Sequence, residues 1–142
     1  MEFNLTGEVW RHYLVLSIEL NTPKVLVCPA DSKNRQKAAD WQSFTNNSHL
    51  SYFVGLDADE TRPQTILSGD RNLTATVKPI RGVLHLTATN SLEWTKDIHK
   101  QAGNVGFGDG SVGQVTTPSL NKQLQAAFLS TTQAVHRLAL PE

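Results

Sequence analysis

His99-Lys-Gln-Ala-Gly-Asn-Val-Gly-Phe-Gly-Asp109-Gly110-Ser-Val112 is the stretch on which the fold turns. Asp109-Gly110 is a tight-turn pair between two short runs of strand-forming residues, which is the sequence signal of a β-hairpin. A two-residue turn there sets Phe107 opposite Val112 and Gly106 opposite Gly113. One face of such a hairpin is apolar. The other carries two facing glycines, which would let a second backbone or a bulky side chain come close.

Upstream, strand candidates follow at short intervals, at 51–56, 65–68, 73–77 and 83–87, ahead of the hairpin strands at 104–108 and 111–116. Tyr52, Val54 and Leu56 alternate, as do Leu84 and Leu86, with His85 on the opposite face. The segment 57–63, Gly69-Asp70, Pro79 and Gly82 separate the candidates as turns. Parallel strands need crossovers of a dozen or more residues, so short spacings imply an antiparallel sheet. A strand is also expected at 24–28, ended by Pro29.

Helices bracket the strands. Val9, Tyr13, Leu16 and Leu20 recur at helical spacing over residues 8–20, with Thr6 as a cap and Asn21-Thr-Pro23 as the stop. At the other end Thr117 caps a helix, Pro118 suits its first position, and Leu120, Leu124, Ala127 and Phe128 form one stripe. The expected fold is therefore α+β. An antiparallel sheet of roughly four to six strands is packed by an N-terminal and a C-terminal helix. All 142 residues belong to one domain, with residues 1–8 frayed and 31–50 a long polar loop pinned by Trp41 and Phe44.

Composition narrows the function. Net charge is zero and charged residues are only 18%, which argues against broad nucleic-acid binding. The most apolar runs, at 9–20 and 25–28, are too short or too interrupted to span a bilayer, which takes about 20 apolar residues. The chain thus reads as soluble, with no membrane contact of its own. One cysteine, Cys28, rules out an internal disulfide and a Cys-x-x-Cys zinc site. It closes the apolar run from Val25 and reads as a buried, inert thiol.

The His99 to Asp109-Gly110 spacing resembles the C-terminal His-x(9)-Asp-Gly signature of bacterial prepilin-like, processing-associated proteins. Glu19-Leu-Asn-Thr-Pro-Lys-Val-Leu-Val-Cys-Pro-Ala-Asp31 resembles the segment by which that family enters its globular head. Ser51-Tyr-Phe-Val-Gly-Leu-Asp57, Ile66-Leu-Ser-Gly-Asp-Arg-Asn72, Ala88-Thr-Asn-Ser-Leu-Glu-Trp94 and His136-Arg-Leu-Ala-Leu-Pro141 resemble its later segments in order. Together these pieces cover most of residues 9–141.

The resemblance implies a structural subunit and not an enzyme: the head of a type IV pilin-like or type II secretion pseudopilin-like filament, in the cell envelope. Its partners would be other such subunits or secretion machinery, engaged through an N-terminal anchor helix. Met1-Glu-Phe-Asn-Leu-Thr-Gly-Glu8 departs from the pattern, carrying two acids and no apolar run. The chain is therefore expected to be a truncated or detached head. The resemblance also leaves Cys28 free to pair with a cysteine of the anchor segment.

Two other functions compete. One is a surface ligand- or metal-binding module, for which Asp57, Asp59 and Glu60 form an acidic cluster suited to Ca²⁺, a cation that related pseudopilin heads bind. The other is a hydrolase using His99 and Asp109. Against both, His99, Asp109 and Gly110 read as a structural motif, with Asp109 serving the turn and His99 bonding to nearby backbone. Arg71 is expected to clamp a carboxylate.

Overall fold

The computed structural model describes residues 8–142. It has the α+β architecture expected from the sequence, and each strand pair is antiparallel. The strands are β1 (Tyr52–Gly55), β2 (Ile66–Asp70), β3 (Leu73–Ala75), β4 (Val83–Leu86), β5 (Leu92–Trp94), β6 (Gly103–Phe107), β7 (Val112–Val115) and β8 (His136–Ala139). Six make one sheet in the order β4-β8-β1-β2-β6-β7, while β3 and β5 form a separate ribbon. Helix α1 (Trp10–Tyr13) precedes the strands, and α2 (Thr117–Leu129) leads into β8.

Both faces of the main sheet are covered, which explains the near-continuous burial of its central strands. On one face Phe53, Leu84, Leu86, Val105 and Leu138 pack with Leu120 and Leu124 of α2 and with Leu92 and Trp94 of the ribbon. On the other, Val9, Tyr13, Leu26, Phe44 and Leu50 form a second cluster, against which Tyr52, Val54 and Leu56 pack. The polar stretch 31–50 belongs to this layer. Phe44 is fully buried, and Trp41 meets its ring edge-on at 5.4 Å while donating its indole N–H to the Leu20 carbonyl at 2.9 Å.

Several local expectations are corrected. The N-terminal helix is a single α-turn that tightens into a 3-10 helix at Leu14–Ile18, leaving Val15 and Ile18 exposed. The Thr6 cap lies outside the described residues. The run 24–28 is no strand: Thr22 caps a 3-10 turn at Pro23–Leu26, where the fixed φ of Pro23 favours a helical start. Thr116, one residue earlier than expected, caps α2 by accepting from the Ser119 N–H. The strands β5 and β8 were not foreseen as strands.

The hairpin forms, but one residue out of register. Val105 pairs with Gly113 and Gly106 with Val112, so the two glycines do not face each other. The loop has three residues, Gly108, Asp109 and Gly110. Gly110 N–H donates to the Phe107 carbonyl, and Phe107 N–H donates to that of Ser111, both at 2.9 Å. Only Gly110 of the turn pair is left-handed, at φ +85°, which is the three-residue alternative to the two-residue turn. Asp109 is exposed and accepts from the backbone N–H and hydroxyl of Ser111 at 2.8 and 2.6 Å.

A stability contrast follows at the tip. A side chain at Gly110 would meet nothing within 4 Å, so the expected loss of about 1–2 kcal/mol for Gly110→Val is backbone strain alone. Gly113 has equal space but no positive φ, and Gly113→Val should stay within about 0.5 kcal/mol of the parent. Thermal melts of the two variants check this, and equal losses would show that left-handedness at Gly110 is not the cause.

Candidate metal centre

The end of β2 organises the polar interior. Asp70 and Arg71 are adjacent and serve different partners. Arg71 forms a two-point pair with Asp31, Nη2 to Oδ1 at 2.6 Å and Nε to Oδ2 at 2.8 Å, with Asp31 wholly buried. This is the carboxylate clamp expected of Arg71. Burial pushes the Asp31 carboxyl up, but hydrogen bonds from Arg71, Ser51 and Asn34 and the charge of Arg71 outweigh it, leaving it below the ordinary carboxylate value. The Ser51 hydroxyl donates to Asp31 Oδ2 and accepts from the Cys28 backbone N–H, both at 2.9 Å. A chain of bonds thus runs from Arg71 through Asp31 and Ser51 to Cys28.

Asp70 is 1% exposed, and its Oδ2 accepts from the Asn104 backbone N–H at 2.7 Å and side-chain amide at 3.1 Å. No guanidinium or ammonium pairs with it among the described residues; the His99 ring is within reach, its Nε2 3.4 Å from Oδ2. A buried carboxylate needs a positive partner more than two neutral donors supply. The same Nε2 is 3.4 Å from Cys28 Sγ.

His99 reaches this position on an unusual backbone. His99, Lys100 and Gln101 are all left-handed, at φ +55°, +52° and +67°. Such residues carry on the order of 1–3 kcal/mol of strain each and persist only where their surroundings hold them. Asn72 does the holding: its buried amide nitrogen donates to the carbonyls of Thr95, Ile98 and Ala102 at 3.0, 2.9 and 3.1 Å. Ile98 anchors the same loop in the interior. Trp94, beside it, packs where β6 begins. A β-carbon at Gly103 would sit 2.4 Å from the indole, so glycine is required there.

The donor atoms of Cys28, Asp70 and His99 all lie within 4.8 Å of one another. Zinc–ligand bond lengths place the atoms of a tetrahedral site about 3.3–3.6 Å apart, close to both contacts of His99 Nε2. Thiolate, imidazole and carboxylate are all ordinary zinc ligands, whereas Ca²⁺ selects oxygen alone. A nucleophilic relay fits less well. There the acid binds the ring nitrogen opposite the one facing the thiol, but here both partners approach Nε2.

The residues singled out from sequence scatter. Asp57 accepts from the Arg137 backbone N–H at 2.7 Å and pairs with its guanidinium at 2.9 Å. Asp59 accepts from the N–H and hydroxyl of Thr61, closing a turn, and Glu60 is exposed. The metal-ligand grouping among the described residues is Cys28, Asp70 and His99, not these three carboxylates. His99 and Asp109 flank opposite ends of β6 and do not meet in a cleft. Cys28 is buried as expected, but beside an imidazole. Nothing in the sequence couples Cys28 to His99, 71 positions apart, because the turn, the strand end and the strained loop meet only in the tertiary fold.

No protein-family model, curated protein or solved structure matches the chain. The filament reading, with its type IV pilus and type II secretion associations, is accordingly corrected. No comparison joins the chain to a pilin-like subunit, and His99 of the supposed signature belongs to a Cys/Asp/His cluster rather than to the hairpin. No helix among the described residues is long and apolar enough to cross a membrane.

Proposed function

We propose that this domain binds one divalent transition-metal ion of zinc type through Cys28 Sγ, His99 Nε2 and a carboxylate oxygen of Asp70. The observation that carries the reading is the approach of a thiol and a buried carboxylate to one ring nitrogen, each at 3.4 Å. A cation at their centre answers two needs. It balances the buried Asp70, and it helps to fix the strained His99 loop. The thiol and imidazole favour zinc, cobalt or a similarly soft ion over Ca²⁺.

Cobalt(II) titration tests this directly, because a cobalt–thiolate bond produces a near-ultraviolet charge-transfer band. The parent protein should develop that band with saturation at one equivalent. Cys28→Ser should remove it, and His99→Ala should weaken binding by at least the roughly 10–100-fold that even outer-shell changes cause. Cobalt taken up by the parent without that band, or at parental affinity in His99→Ala, would place the metal elsewhere.

A further inference from the structure

We infer that the ion held by Cys28, Asp70 and His99 keeps one coordination position for a small exogenous anionic donor, entering from the His99 side. This rests on the metal-binding reading above and extends it from holding an ion to presenting one.

The first support is the ligand count set against what surrounds it. Three protein donors converge, whereas structural zinc sites are closed by four; three plus an exchangeable ligand is the pattern of zinc sites that act on a bound molecule. Several of the polar groups around the three are already engaged. Ser51 joins Cys28 N–H to Asp31, the Asn104 amide is bonded to Asp70, Arg71 is fixed on Asp31, and the Asn72 amide nitrogen holds three carbonyls of the His99 loop. Turning the Ser51 hydroxyl to the ion as a fourth ligand would break the buried bonds it makes with Cys28 N–H and Asp31.

The second support is the direction of access. Cys28 and Asp70 are closed off at 7% and 1% exposure, while the His99 side chain is 22% exposed. The residues after it, Lys100 and Gln101, are exposed. The route to the ion therefore passes the His99 loop. The charge there selects the ligand: thiolate and carboxylate neutralise a dication, and the exposed Lys100 beside His99 adds a positive group at the approach. A small monodentate anion suits this better than a second cation or a bulky chelator.

Azide added to the cobalt-loaded protein tests the inference. A four- or five-coordinate cobalt that exchanges its last ligand should change its visible d–d spectrum saturably with azide, while the thiolate charge-transfer band persists. Lys100→Glu should weaken azide by roughly two- to fivefold, the scale of one exposed charge interaction, while the cobalt–thiolate band still forms. A cobalt protein whose visible spectrum is indifferent to saturating azide overturns the inference and leaves the metal site standing. Failure of cobalt to bind overturns both. Loss of the charge-transfer band on adding azide, meaning that the anion strips the metal out, also counts against an open position.

Discussion

Replacing Arg71 with methionine should lower the melting temperature by on the order of 10 °C, since removing one partner of a buried ion pair costs about 3–5 kcal/mol and each kcal/mol shifts a domain of this size by about 3 °C. Asp31 would keep Ser51 and Asn34 but lose both strong bonds, with Arg35 Nε at 3.9 Å as the nearest remaining cation. The double variant Asp31→Asn, Arg71→Met should recover more than half of the loss, because no uncompensated charge stays in the interior. Equal melting temperatures for the single and double variants would show that the buried charge is not what destabilises.

The pH dependence carries a sign. In the parent the Asp31 carboxyl is held below its ordinary value, so the unfolded chain takes up its proton first on acidification. The stabilisation is complete above the ordinary carboxylate range and is lost as pH falls through the lower folded value. In Arg71→Met the opposing effect, burial, dominates and raises that carboxyl. The folded state then binds the proton more readily, so the gap between variant and parent should narrow as pH falls from neutral towards 4. Melts at a series of pH values read this directly, and a gap that widens with acid would contradict it.

How far the molecule could be read from its sequence follows from the range of the interactions. The C-terminal helix, the hairpin and most strands are local in origin, and their apolar spacing and turn residues announced them. The hairpin register was not legible. Gly108-Asp109-Gly110 supports both a two-residue and a three-residue loop, and the choice shifts every cross-strand pair by one. The strand β8 escaped notice because His136-Arg-Leu-Ala139 is short and gains its identity only by insertion between β4 and β1. The Cys28, Asp70 and His99 cluster was least visible. Cys28 read as one more apolar position, Asp70 as the edge of a turn, and His99 as part of a spaced motif. The acidic run around Asp57, Asp59 and Glu60 reads as a Ca²⁺ candidate; in the fold Asp57 pairs with Arg137, Asp59 closes a local turn and Glu60 is exposed. A solvated turn collects carboxylates without needing an ion.

Zinc should raise the melting temperature by roughly 12 °C when free zinc is a thousand times its dissociation constant, a linkage of about 4 kcal/mol at about 3 °C per kcal/mol. The three ligands come from a turn before the strands, from the end of β2 and from the loop before β6. They converge only when the chain is folded, so an ion held by them would bind the native state almost exclusively. One cysteine in the whole chain gives the unfolded state little to chelate with. His99→Ala and Cys28→Ala should each abolish most of the rise, whereas Asp59→Asn with Glu60→Gln should leave it intact. Ca²⁺ should give no comparable shift at the same concentration. Acid should shrink the effect, since protons compete with the metal for thiolate, imidazole and carboxylate. An undiminished zinc shift in His99→Ala would move the metal away from this cluster. No shift in the parent would mean that Cys28, Asp70 and His99 meet only as a buried hydrogen-bonding group, with the strain at His99, Lys100 and Gln101 offset by Asn72 alone.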